Sequence, residues 1–340
     1  MTALALQPGQ LRWLGWVAAL RAWLFLGFLA LFFEAWARIA YGTSFFGNGF
    51  NLQSIAVFAV APLLLALGQT FVIISGGIDL SVGFTMGLAA VIVAHIANIA
   101  GDAFGPITGF LLAVLITLPA SAVPGLINGW LVARLGIPPF IGTLGMYGVA
   151  RGAAYLVAGG TSVPVSNPLL SGLGSGSLLG VPLVVLVAIV VVIAMHYLLS
   201  QTRFGQYTYA IGGNREAAQR AGIRVGRMTL MLYVLSALSA GVGGILYTAR
   251  FTAGAAQAGE PLLLDSIAAV VIGGASLFGG SGTIIGTVIG ALIIAVIQYG
   301  LVFVDVEPFW QFIAVGVVII ISVIVDQSQK RLGGRVVRHG

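Results

Sequence analysis

Two aspartates and a few polar residues sit where the chain is otherwise apolar, and they set the chemistry on offer. Asp79 follows Gly76-Gly77 and precedes Ser81; Asp265 precedes Ser266 at the head of another apolar run. A charged aspartate at the centre of a membrane helix costs roughly 2.5–3.5 kcal/mol. Such a group is kept either as a gate or pathway carboxylate, or as a cap that accepts free N–H groups where a helix begins, with Ser81 sharing that role beside Asp79. Both readings stand for Asp79 and for Asp265. Asn128, Thr143, Gln69 and Gln298 are polar residues inside apolar segments, and they either line a hydrophilic path or hydrogen-bond between helices. Arg151 also falls within a segment, with Asp265 as its expected partner.

Enzymatic chemistry has little to work with. His95, His196 and His339 are scattered without metal-ligand spacing, so no metal and no cofactor is expected. No Ser/His/Asp arrangement can be drawn, which disfavours a membrane-embedded enzyme. With no cysteine, disulfides, thiolate catalysis and iron–sulfur clusters are excluded. A P-loop needs a lysine after its glycines to reach phosphates, but the one lysine, Lys330, is followed by Arg331. The chain therefore lacks its own ATP motor of that kind. Gly280-x-Gly282-x-x-x-Gly286 has no strand before it, and it reads as helix packing rather than a dinucleotide turn.

The elements that must position these residues are membrane helices. Of 340 residues, 59% are hydrophobic and 7% charged, whereas soluble domains carry about 25% charged residues. Several apolar runs exceed the roughly 18–20 residues that cross about 30 Å of hydrocarbon. They do not alternate as barrel strands do. The fold class is all-α, a polytopic membrane protein of about ten transmembrane helices. The spans are expected near 14–36, 52–75, 79–100, 106–133, 139–158, 180–200, 228–249, 263–279, 283–303 and 308–325. Pro119 and Pro124 are expected to kink or break the fourth. The first span is too long for a signal-peptide core and reads as retained. The chain forms one membrane domain over 1–340, embedded from 14 to 326, with a polar loop at 201–227 and a basic tail at 327–340.

Orientation follows from the arginines. With the N-terminus in the cytoplasm, eleven of the fifteen basic residues fall inside, and both termini are cytoplasmic. The net charge of +6 is then explained by topology, and no nucleic-acid partner is needed. The expected partner is the lipid bilayer. Segments two to five and seven to ten suggest an inverted repeat: Asp79 and Asp265 hold corresponding places, as do Pro139-Phe140 and Pro308-Phe309. Gly282, Gly286 and Gly290, and likewise Ser236, Ala240 and Gly244, repeat at four-residue spacing and let helices approach closely.

The 201–227 stretch is the long polar cytoplasmic loop. Within it Asn214 is a candidate N-cap for a short helix over 215–221, with Glu216 favouring its positive end and Gly222 as its stop. Such a helix is either an ordinary amphipathic surface turn or a rigid peg for another protein.

Glu216-Ala217-Ala218, three residues, then Gly222 resembles the E-A-A-x-x-x-G coupling loop of ABC importer permeases. Thr202-Arg203-Phe204-Gly205 and Tyr209-Ala210-Ile211-Gly212-Gly213-Asn214 look like the approach to that loop in ribose-type sugar permeases. Three further stretches resemble the same family: Gly76-Gly77-Ile78-Asp79-Leu80-Ser81-Val82-Gly83, Ile137-Pro138-Pro139-Phe140-Ile141-Gly142-Thr143-Leu144, and the run from Leu264-Asp265-Ser266 to Ile272-Gly273-Gly274. The resemblance covers about residues 50 to 326. It implies a multi-pass subunit of a bacterial inner membrane, paired with a second permease subunit, identical or homologous. A periplasmic binding protein would deliver a monosaccharide. A cytoplasmic ABC ATPase would drive import by clamping the coupling helix, formed by Asn214, Glu216, Ala217, Ala218 and Gly222. Asp79, Ser81, Asn128, Thr143 and Asp265 remain pathway or gate candidates. The alternatives are an ABC permease for branched-chain amino acids and an ion-gradient-driven secondary transporter. The latter lacks clear midplane ionisable groups.

Overall fold

A computed structural model of the chain describes residues 8–307 and 309–336. Pro308, expected to open the last span, and the final four residues of the basic tail lie outside the described residues. The first four helices are α1 (Pro8–Tyr41), α2 (Gly49–Ile74), α3 (Val82–Phe104) and α4 (Pro106–Arg134). Next come α5 (Pro139–Ala158), β1 (Val163–Pro164), α6 (Pro168–Ser175), the hairpin β2 (Ser177–Leu178) and β3 (Val181–Pro182), and α7 (Leu183–Gln201). Two short helices follow, α8 (Arg203–Gly213) and α9 (Arg215–Arg220), then α10 (Val225–Phe251) and β4 (Ala253–Gly254). The chain closes with α11 (Leu262–Ile272), α12 (Ile284–Phe303) and α13 (Phe309–Val336).

Among the described residues, seven helices are long and apolar enough to cross a membrane: α1 from Ala22, α2, α3, α4, α7, α10 and α12. In hydrocarbon each backbone N–H and C=O must be satisfied within the chain, and continuous helices do this. Apolar surface is distributed accordingly. α2 is apolar all round and buried along most of its length, wrapped by α10, α11, α12 and α7. Outer helices turn large apolar side chains outward, such as Leu111 and Leu115 on α4 and Val190 and Ile193 on α7. Exposed faces of that kind suit lipid rather than water. The small residues named above bring helices into backbone contact: a Cβ on Gly290 would meet the Ala269 carbonyl of α11, and one on Gly244 would lie 2.5 Å from the Met86 carbonyl of α3.

Several expectations are corrected. α4 runs unbroken through Pro119 and Pro124. The eighth expected span, 263–279, is instead the 11-residue α11, about 16 Å long at 1.5 Å per residue and too short to cross. Gly273-Gly274 ends it, the second glycine with φ +96°, and the chain then turns through Gly279 and Gly280 before α12. Asp265 lies in the first turn of α11 rather than between segments. α13 continues as helix to Val336, through much of the stretch read as a tail. The connection from α5 to α7, which carried no expected element, holds α6 and the β2–β3 hairpin. Its β1 pairs antiparallel with β4, Val163 opposite Gly254, and ties this connection to the end of α10.

Candidate functional site

The joint between α2 and α3 is the most polar part of the interior. Ser75 ends α2, Gly76 turns the chain at φ +83°, and residues 75–81 lead to α3. Asp79 is fully buried and Ser81 nearly so. Buried polar groups need partners within the protein, and here four helices supply them. Gln69 of α2 holds the Asp79 backbone on both sides: its Nε2 donates to the Asp79 carbonyl, and its Oε1 accepts the Asp79 N–H at 3.3 Å. The Asp79 carboxylate accepts four hydrogen bonds. They come from the Ser81 N–H (3.0 Å), the Ser81 hydroxyl (2.7 Å), Asn128 Nδ2 of α4 (3.2 Å) and the Ser236 hydroxyl of α10 (3.1 Å). Asn128 Nδ2 also donates to Ser81 Oγ at 2.8 Å. Thr143 of α5 donates to the Pro139 carbonyl at 2.8 Å and makes a longer contact, 3.4 Å, to the Ile78 carbonyl. The structure therefore gathers Asp79, Ser81, Asn128 and Thr143 into one knot that joins α2, α4, α5 and α10 at the joint. Ser81 makes no side-chain cap bond to α3, so the carboxylate organises the approach to that helix rather than its first turn.

Asp265 stands apart from this knot. It is 8% exposed, and its Oδ2 accepts from Gln298 Nε2 of α12 at 2.8 Å. The expected pairing with Arg151 is not made. Arg151 instead holds its guanidinium 5.5 Å from the centre of the Phe84 ring, and it enters no ion pair among the described residues.

The polar 201–227 stretch folds as two helices rather than a loop with one. Thr202 caps α8 by accepting the Phe204 N–H at 3.2 Å. α8 buries Thr208 and Ile211, and Tyr209 donates its hydroxyl to the Gly282 carbonyl at 2.7 Å. At Gly212 three stretches of backbone converge. A Cβ there would meet the Ile74 carbonyl and lie 2.6 Å from the Gly280 N. Gly280 N–H itself donates to the Ile74 carbonyl at 2.8 Å. The end of α2, the end of α8 and the turn between α11 and α12 thus touch without side chains between them.

Asn214 then redirects the chain and caps α9, its Oδ1 accepting the Ala217 N–H at 2.9 Å. α9 ends in a paired closure: Ile223 N–H donates to the Ala218 carbonyl at 3.1 Å and Gly222 N–H to the Gln219 carbonyl at 3.0 Å. This closure needs φ > 0 at the residue after the cap, and Gly222 has φ +85°. One side chain of α9, Ala218, is buried, against Ile211, Val225 and Met228. Asn214, Glu216 and Ala217 are exposed. Glu216 and Arg220 approach to 3.7 Å with both side chains 84% exposed, a pairing that contributes little to stability. Beside α9, Arg134, Arg215, Arg224 and Arg227 line a groove of about 630 Å³. These arginines served only as topology markers in the sequence, and their convergence depends on how α4 and α10 pack.

Comparison with known proteins places these features in context. The family model for the branched-chain amino acid transport system / permease component matches residues 51–323. The chain is 38% identical over 288 residues to the ribose import permease protein RbsC of Escherichia coli strain K12, covering 83% of this chain and 86% of that one. It is 39% identical over 268 residues to RbsC of Bacillus subtilis, covering 78% and 81%. It is 37% identical over 289 residues to the galactose/methyl galactoside import permease protein MglC of Escherichia coli, covering 81% and 86%. No solved structure matches the chain.

Proposed function

Because this chain belongs to the family of branched-chain amino acid transport system permease components, we propose that it is the membrane-spanning subunit of an ATP-driven importer that passes a monosaccharide, delivered by a periplasmic binding protein, into the cytoplasm. Relatives named as ribose and galactose import permeases support a sugar over a branched-chain amino acid. The chain is a transporter component of a bacterial inner membrane, and ATP hydrolysis belongs to a separate ATPase. A second permease subunit would complete the path. On this reading α2–α5 and α10–α13 are inverted halves of a ten-helix domain. α11, together with the turn after it that reaches the ends of α2 and α8, then forms the counterpart of α3.

One observation carries the reading: α9 is a capped, closed, outward-facing helix anchored by one buried side chain, Ala218. A partner that grips Glu216 and its neighbours holds a rigid handle rather than a loop. The arginine-lined groove beside it suits an acidic rim on the ATPase. Clamping by ATP would draw this handle, and its twin on the second subunit, toward the axis.

Replacing Gly222 by Val forces a side chain into φ > 0, and Glu216→Lys reverses an exposed charge. Neither residue lies in the bilayer. Both variants are expected at near-normal membrane abundance. Uptake and ATPase stimulation should fall together by roughly tenfold, the equivalent of about 1.4 kcal/mol of docking energy, and the ATPase subunit should co-purify poorly. Normal uptake in both would leave α9 a solvated turn and remove the main support for coupling here.

Sidedness is tested separately. The chain has no cysteine, so single cysteines at the exposed Ser175 and Gln219 report their own location. An impermeant thiol reagent added to intact spheroplasts is expected to label Ser175→Cys. It should reach Gln219→Cys only after permeabilisation. Labelling of Gln219→Cys from outside would invert the orientation.

A further inference from the structure

A cavity of about 530 Å³ opens at the end of α10 farthest from α9. α10 has 27 residues, so the two ends lie about 40 Å apart. The cavity volume falls within the roughly 300–1,000 Å³ of small-ligand pockets. Its walls come from the first half of α2, the end of α10, the turn before α11, and α11, α12 and α13. Most of the lining is apolar, including Val57, Pro62, Tyr247 and Leu262. Into this apolar frame six polar side chains converge: Arg250, Gln257, Glu260, Asp265, Gln298 and Gln311.

Their hydrogen bonding is incomplete. Asp265 is more than nine-tenths buried, yet among the described residues Gln298 is the one side-chain partner of its carboxylate, on Oδ2. An ionised carboxylate offers about four acceptor sites, and the Gln298 amide carries a second N–H. Arg250 lines the same space and makes no ion pair among the described residues. Glu260 has one oxygen bonded to the Tyr147 hydroxyl at 3.0 Å. Strong acceptors and strong donors therefore face one volume without neutralising each other. An inorganic anion would meet Asp265 and Glu260, and a bare cation would meet Arg250. A neutral polyol meets neither obstacle, because each hydroxyl donates to a carboxylate and accepts from an amide or guanidinium, while its C–H faces lie on the apolar walls.

We propose that this cavity is a binding site for a neutral monosaccharide, with Asp265 and Gln298 as paired acceptor and donor for adjacent hydroxyls and Arg250 and Gln257 as further donors at its mouth. The proposal rests on the reading of the chain as a sugar-importer subunit, and it gives the permease itself a sugar contact distinct from that of the binding protein. The contact is released when the surrounding helices move.

The test uses purified permease in lipid nanodiscs and the full importer in proteoliposomes. Ligand-observed saturation-transfer NMR is run with D-ribose, D-galactose, D-fructose and L-leucine, each alone. At least one sugar is expected to give a signal that falls about tenfold in Asp265→Asn and in Gln257→Ala, the latter a change at an exposed residue that spares the fold. Uptake of that sugar by the full importer, with its binding protein saturating, should fall by a similar factor while the ATPase subunit still co-purifies. Sugar signals that persist unchanged in both variants, or a signal from leucine alone, overturn the site. An importer that takes up none of the three sugars overturns the sugar-importer reading itself, whereas wild-type uptake rates in both variants overturn the cavity alone.

Discussion

Asp79→Ala is expected to strip most of the protein from the membrane, not merely to slow it. The carboxylate is fully buried and accepts four hydrogen bonds from Ser81, Asn128 and Ser236. Truncation leaves these donors facing a small void. A buried donor stripped of its partner costs about 1–3 kcal/mol, and whole-domain stability is about 5–15 kcal/mol. Even two stranded donors would use a large fraction of that margin. The damage would also spread, since Asn128 and Ser236 lie on α4 and α10, so the joint would lose its tie to both at once. Asp79→Asn keeps the shape and one acceptor oxygen, and it should retain clearly more folded protein. The measurements are abundance in isolated membranes and the thermal midpoint of the detergent-solubilised chain. A pathway carboxylate predicts a different pattern: Asp79→Ala would insert and melt like wild type while uptake alone disappeared. That result would return Asp79 to the transport path.

What the sequence made legible divides along physical lines. Membrane class, all-α fold and the approximate helix positions follow from run length and composition, because lipid imposes one rule on every span. The caps of α9 were equally legible, since Asn214 and Gly222 act on backbone groups within a few residues of themselves. Non-local partners were not. Asp79 and Ser236 are 157 residues apart, and nothing in either neighbourhood marks them as a pair. Ser236 drew notice as a small packing residue, and its hydroxyl turned out to be the useful part. Arg203–Gly213 reads as loop in the sequence because it holds three glycines and several residues of modest helix propensity. It is helical because Thr202 caps it and its buried face rests on the ends of α2 and α7. α11 is shorter than the expected span because apolar residues resume after Gly273-Gly274, at Ala275, Leu277 and Phe278, although the backbone turns at the glycines. For Arg151, charge alone suggests a carboxylate partner, and its guanidinium instead lies over the Phe84 ring.

Gly212→Ala is expected to uncouple the transporter without releasing its motor. The added Cβ would sit against the Ile74 carbonyl, with Gly280 N 2.6 Å away. Both neighbours are backbone, and the Gly280 N–H already bonds that same carbonyl at 2.8 Å. No flexible side chain can give way, so α8 must lift from the end of α2 or the α11–α12 turn must shift. Overpacking of this kind costs about 1–3 kcal/mol, which a stable membrane domain survives, though a junction set by three touching backbones does not keep its geometry. This junction is where α9, which begins three residues further on, meets the joint that carries Asp79 and the turn that ends α11. On the proposed reading, a push on α9 would reach both breaks through it. Opening it should let the ATPase dock and hydrolyse while uptake drops about tenfold or more. Glu216→Lys and Gly222→Val differ, because there docking itself is lost. Gly213→Ala supplies the control, since a Cβ at the neighbouring residue meets nothing within 4 Å. Equal uptake by Gly212→Ala and Gly213→Ala would mean that coupling bypasses this junction, and the path from α9 to the Asp79 joint would have to run through α10 instead.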